Sequence, residues 1–160
     1  MKSSLVILAA LAAFAGATVA FATGSPSAKP ARVAFFGHIK QMRPTAKGYE
    51  IKFDPAWWLN GHAAEQAAFE DTGSRDVPND YYIVDEGHRL LSFLIARGAS
   101  ITVLTRSLKP LRISSAELNA IVHGKNPQHR SLFSPTAAWW IQVGNKYPNP
   151  AVALSQQYQP

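Results

Sequence analysis

The chain contains no cysteine, and that absence constrains its fold more than any motif it carries. No disulfide can staple it and no Cys zinc site or iron–sulfur cluster can organise it. Thiol catalysis and a lipidated N-terminal cysteine are excluded as well. The fold must be held by its apolar core alone. With 160 residues, 47% of them hydrophobic, the chain is long enough for one such core and too apolar for wholesale disorder.

The first segment reads as an export signal. Lys2 supplies a basic start, and Leu5 to Ala22 (LVILAALAAFAGATVAFA) carries no charge. Ala20 and Ala22 form an A-x-A site that places cleavage after Ala22; cleavage after Ala20, with Thr18 two residues before, is the alternative. The run is just long enough to cross a bilayer, but its Ala and Gly content makes it weakly hydrophobic and favours removal over anchoring. Residues 1–22 are therefore expected to be a signal peptide, 23–32 (TGSPSAKPAR) a flexible leader, and 33–160 a single globular domain without a stable membrane span. The expected location is the periplasm or the medium.

Charge is unevenly distributed. Removing Lys2 leaves 15 basic and 10 acidic residues, net +5. Lys29 to Lys52 holds six basic residues and one acidic, and Arg89 to Lys146 holds eight basic and one acidic. Between them, Glu65 to Glu86 holds seven acidic residues and one basic. A fold that brings the basic segments together would have a dipolar surface, although no run of consecutive Lys or Arg exists.

Periodicity predicts strands with two or three short helices. Val33 to Lys40 is β-rich with Gly37 inside it, and Tyr49 to Phe53 alternates strictly, so the two read as a hairpin with a longer loop over Pro44 to Gly48. Asp54-Pro55 is an N-cap acceptor before a first-turn proline, which predicts a short helix through Ala56 to Leu59. Asn60 then caps a second helix, His62 to Asp71, ended by Gly73. Tyr81 to Val84 is a strand. Arg89 to Ile95 and Ser100 to Leu104 are expected as two strands around Gly98. Ser114 and Glu117 make a capping box for a helix closed by Gly124. Ala138 to Val143 and Ala151 to Tyr158 form a terminal strand pair. The class is α+β: a small, strongly curved antiparallel sheet or partly open β-barrel, with an OB-like layout as one candidate by analogy.

The stretch FDPAWWLNGHAAEQAAFED, followed by VPNDYYI and by WWIQV…QQYQP, resembles a family of small uncharacterised exported bacterial proteins. The resemblance covers most of residues 35–160. The chain departs from the pattern in its short Gly73 to Asp76 linker and in Gln157 and Gln159 of the tail. The resemblance implies export and carries over no catalytic residue.

Few residues point to chemistry. None of the five histidines (38, 62, 88, 123 and 129) forms His-x-x-x-His or His-Glu-x-x-His. Asp85, Glu86 and His88 cluster in an expected hairpin turn, which read most simply is a solvated tip and alternatively a metal or hydrolase site, with His38 as another base. No P-loop, dinucleotide fingerprint or Gly-x-Ser-x-Gly elbow occurs, so no cofactor is expected. Asp54 is expected to cap a helix rather than serve as acid or base.

The aromatic residues say more. Trp57-Trp58 and Trp139-Trp140 are consecutive pairs. On a strand, neighbours face opposite sides, so one of Trp139 and Trp140 enters the core; on a helical turn Trp57 and Trp58 are about 100° apart. One member of each pair is then available to stack on a ligand or anchor a partner. Candidate binding residues are Trp57, Trp58, Asp80, Tyr81, Tyr82, Trp139 and Trp140. The expected function is a non-enzymatic binding or interaction module. Its partner would be an envelope glycan, an anionic surface or another exported protein. Alternatives are the small hydrolase or metal enzyme and an OB-like binder of polyanions or oligosaccharides. Export argues against nucleic acid.

Overall fold

A computed structural model describes residues 32–87, 89–145 and 149–159. The expected signal peptide, nearly all of the leader, and His88 lie outside the described residues.

The chain begins with a long hairpin, β1 (Val33–Thr45) and β2 (Gly48–Asn60). Its turn is tighter than the loop expected from Pro44 to Gly48, because both strands run on to the turn and Pro44 sits in register opposite Tyr49. The second partner of β1 reaches only as far as Gly37, so at Pro44 a missing N–H on the outer side costs no ladder bond. Thr45 closes the turn, its hydroxyl donating to the Gly48 carbonyl at 3.1 Å and accepting from the Lys47 N–H at 3.3 Å.

The helix expected after Asp54-Pro55 does not form. Residues 54–60 continue β2, pairing first with β1 and then with β3 (Tyr81–Val84). Tertiary pairing overrides the local start signal, and Asp54 is not a cap: its carboxylate pairs with Lys40 at 3.0 Å. Trp57 and Trp58 consequently face opposite sides of a strand instead of lying about 100° apart. Helix α1 (Gly61–Thr72) follows at once. Gly73 ends it with φ of 76° and an N–H bonded to the Phe69 carbonyl at 2.9 Å. Asn60 stands at its N-cap, but its side-chain oxygen accepts the Trp58 indole N–H at 3.2 Å instead of a helix N–H.

The two strands expected around Gly98 are one bent strand, β4 (Leu91–Leu104). Gly98 adopts φ of 78° at a register shift between Ile95 and Ser100, so the strand turns a barrel corner without ending. A short strand that periodicity did not reveal, β5 (Pro110–Ile113), pairs with its end. Helix α2 (Ser115–Val122) starts as expected, with the Ser114 hydroxyl accepting from the Glu117 N–H at 3.1 Å. The Glu117 carboxylate completes no capping box and instead takes the Arg130 Nε at 2.6 Å. Strands β6 (Trp139–Val143) and β7 (Ala151–Gln156) pair antiparallel.

Five strands close a barrel: β1 pairs β2, β2 pairs β4, β4 pairs β7 in parallel, β7 pairs β6, and β6 returns to β1. One parallel pair closing an otherwise antiparallel barrel, with α2 between its third and fourth strands, is an OB-like arrangement. Strands β3 and β5 are extensions outside it. Inside pack Met42, Ile51, Phe53, Ile101, Leu118 and Trp139, together with Ile141 and Leu154. The buried Gln156 is satisfied: its Oε1 accepts the Leu104 N–H at 2.8 Å and its Nε2 donates to the Ser134 carbonyl.

Gly37 is the tightest of the described glycines. It pairs with Pro55 on one side and Trp139 on the other. A methyl group there would lie 2.0 Å from the Asp54 carbonyl oxygen, and the residue's φ is 151°. Because the obstacle is backbone, Gly37→Ala is expected to destabilise the fold by about 3 kcal/mol or more, read from the midpoint of urea unfolding. Trp139→Ala, which empties the barrel centre, is expected to cost about 3–5 kcal/mol in the same measurement.

Candidate functional site

The last paired residues of β1 and β2 are Phe36 and Ala56. β1 pairs with β6 from Gly37 opposite Trp139 to Val33 opposite Val143, so beyond Phe36 it follows β6 alone. β2 instead follows β3, from Trp57 opposite Val84 to Asn60 opposite Tyr81. The two strands part, and a cleft of about 440 Å³ opens between them. Val33, Phe35 and Phe36 form one wall, Trp57 and Trp58 the other, with Leu91 and Trp140 also contributing. The lining side chains are aliphatic or aromatic, and the indole N–H groups are their sole polar atoms.

An aromatic cluster supports the cleft. Phe36 meets Trp58 edge to face at 5.0 Å between ring centroids and Trp140 at 5.1 Å, and the two indoles are 6.0 Å apart. Tyr81 stacks on Trp58 at 3.9 Å with planes 21° apart. That stack covers one indole face, and the bond to Asn60 fixes the ring in its plane. Trp57 also borders the cleft and is 63% exposed. One wall is thus held rigid while a large aromatic surface faces solvent.

The seven aromatic and acidic residues singled out by sequence divide between different places. Trp57, Trp58 and Trp140 line the cleft, and Tyr81 backs it. Trp139 is 2% exposed inside the barrel and reaches no surface site. Asp80 sits in a turn at φ of 57°, its N–H bonded to the Val77 carbonyl at 3.1 Å, by a separate hollow beside Glu65 and Arg75. Tyr82 lies on the strand face opposite Tyr81 and lines an acidic hollow of about 320 Å³ with Glu70, Asp71, Asp85 and Glu86. Sequence reasoning missed Val33, Phe36 and Leu91. Phe36 shows a signal only once its neighbour Phe35 is assigned to the inside of an alternating strand.

Of the groups proposed for chemistry, His88 lies outside the described residues, and the others are found in different places. Asp85 and Glu86 are exposed, while His38 lies in register with Asp54 on the barrel wall. Among the described residues no group of three His, Cys, Asp or Glu could hold a metal ion. Charges on the outer wall are paired instead: Arg43 with Glu50 at 2.5 Å, Lys52 with Glu50 at 3.6 Å, and Lys52 Nζ donating to Ser92 Oγ at 2.6 Å. The Arg43 hydrogen bond holds the Glu50 carboxyl below its ordinary 4.5.

No protein-family model, no curated protein and no solved structure matches the chain.

The Tyr82 hydroxyl donates to an Asp71 carboxylate oxygen, and this bond raises the phenol above its ordinary 10.0. Ionising the phenol would remove the donor and set two negative charges together. The contribution is complete below pH 10 and lost as pH rises through the elevated folded-state value. Phenolate absorbance is expected to show one tyrosine titrating late, and Asp71→Asn is expected to return it toward 10.0.

Proposed function

We propose that this chain is a non-enzymatic binding or interaction module that acts after export, and that the cleft where β1 and β2 part is where it engages its partner. The observation that carries this reading is the gathering of Trp57, Trp58 and Trp140 around one open, apolar cleft, with Trp57 63% exposed. A large side chain held out of the core in a chain that depends wholly on its core is an expense of apolar surface that binding would recover. Val33, the first residue of β1, stands at this same cleft, and the uncharged run Leu5 to Ala22 supports export.

The lining favours one ligand class over the others first considered. A glycan needs hydrogen-bonding side chains for its hydroxyls, and a polyanion needs unpaired cations. The cleft offers aliphatic and aromatic surface instead. An apolar group of a ligand or partner protein suits it best. The enzyme reading has less support, because Asp85 and Glu86 lie around the acidic hollow, not the cleft.

A neutral apolar fluorophore, N-phenylnaphthylamine, tests the site. It is expected to brighten on binding, and Trp57→Ala is expected to weaken that binding at least about tenfold. Because Trp57 is largely exposed, the same variant should unfold within about 0.5 kcal/mol of the parent. Undiminished fluorophore binding by Trp57→Ala would remove the cleft as the site.

A further inference from the structure

We propose that the protein has a second binding site, a basic hollow between the end of α2 and the loop that follows it, and that this hollow takes a phosphate group. It shares no lining residue with the cleft and does not depend on it.

The site grows out of a charge imbalance in the sequence. From Arg89 to Lys146, Glu117 is the sole carboxylate side chain against eight cations. The fold gives that carboxylate to Arg130, at 2.6 Å. Arg130 stands with Arg106 and Lys125 around a hollow of about 220 Å³ that no Asp or Glu lines. Among the described residues neither Arg106 nor Lys125 pairs with a carboxylate. Lys40, Arg43 and Lys52 of the barrel wall each do. Three cations and one carboxylate leave two positive charges uncompensated at one concave place, where a field of single sign concentrates.

Cations often gather at a helix C-terminus to serve its unpaired carbonyls. Here the backbone already serves them. The Asn119 and Ala120 carbonyls accept the His123 N–H at 3.3 and 3.1 Å, the Ile121 carbonyl accepts the Gly124 N–H at 2.9 Å, and the Ala120 carbonyl also accepts the Lys125 N–H at 2.8 Å. The side chains of Arg106 and Lys125 are therefore not needed as caps.

The walls of the hollow are built before any ligand arrives. The Asn126 side chain grips its own loop: Nδ2 donates to the Arg130 carbonyl at 2.7 Å and Oδ1 accepts the Arg130 N–H at 2.9 Å. The Arg106 N–H donates to the Ser131 carbonyl at 3.0 Å, and the Phe133 N–H to the Leu104 carbonyl at 2.8 Å, which ties the loop to the end of β4. Backbone that is already ordered loses little freedom on binding.

Size and charge together choose the ligand. The volume is below the roughly 300 Å³ at which pockets for drug-sized molecules begin, so the hollow suits one small group. Two uncompensated cations match a dianion better than a lone carboxylate. A guanidinium fork meets phosphate oxygens in pairs, while an ammonium acts as a point charge. Ser131 adds a hydroxyl donor to the lining. The shared chemistry is a phosphate group, whether free in solution or carried on a lipid headgroup.

Titration of the ¹⁵N-labelled protein with inorganic phosphate, at ionic strength held constant with chloride, provides the test. The backbone amides of Gly124, Asn126 and Ser131 are expected to shift and saturate with a Kd of about 1 mM or tighter, and acetate is expected to bind at least about tenfold more weakly. Arg106→Gln and Lys125→Gln should each weaken phosphate binding at least about tenfold and leave the thermal midpoint unchanged, because both side chains are exposed. Lys109→Gln removes the same charge from a residue outside the lining and should change phosphate binding little. Vesicles of phosphatidic acid, with phosphatidylcholine vesicles as the reference, identify the source. Co-sedimentation with phosphatidic acid that inorganic phosphate competes away supports the site with a lipid headgroup as ligand; saturable phosphate shifts without vesicle binding support it with a free phosphate. No saturable shift with phosphate and no binding to phosphatidic acid, an equal response to acetate, or equal weakening by all three variants would each overturn the inference.

Discussion

The barrel depends on the exchange of partners along β1. That strand pairs with β2 from Phe36 to Thr45 and with β6 from Val33 to Gly37, so Phe36 and Gly37 alone are held from both sides. At this crossing the walls approach so closely that the Asp54 carbonyl occupies the space where any side chain at 37 would begin. Closure of the sheet and the opening of the cleft are two results of one event. β1 must leave β2 to reach β6, and the space it vacates is the cleft.

With no covalent staple, burial has to supply the stability. The barrel answers with two apolar layers. The inner one is centred on Phe53, Trp139 and Ile141; the outer one, on Phe36, Ala56 and Ala138, is covered by Trp58, Ile83 and Trp140. The second layer joins energetics to function. It fixes Trp58 and Trp140 as walls of the cleft while the ribbon of β2 and β3 carries Trp57 out of the core. Charge follows the same plan. The acidic segment folds into α1 and β3 around a separate hollow, and Arg106, Lys109 and Arg112 follow the far end of β4 in sequence.

Local signals were legible where a residue acts on its own backbone. Ser114 as the N-cap of α2, Gly73 after the Ala-rich helix and the alternation of Tyr49 to Phe53 each do in the structure what their chemistry predicts, whereas the Glu117 half of the capping box goes to Arg130. They misled at Asp54-Pro55, where a sound helix start was outweighed by ladder bonds to strands far away in sequence. They were silent at β5, whose four residues become a strand only because the end of β4 offers an edge. Of the candidate site, the alternation of consecutive tryptophans was readable. Which member of each pair meets water was not, because that depends on which face of each strand closes the barrel.

The sequence by itself determined the reliance on an apolar core, the α+β class, the helix ends and the surplus of tryptophan. Each follows from composition or from interactions within a few residues. Tertiary structure decided that Trp139 is core while Trp57 is surface, that Asp54 pairs with Lys40 instead of capping a helix, and that Val33, Phe36 and Leu91 share a cleft with three tryptophans. Those outcomes hang on the register at which β1 changes partners, and register is a relation between strands that no single stretch of chain contains.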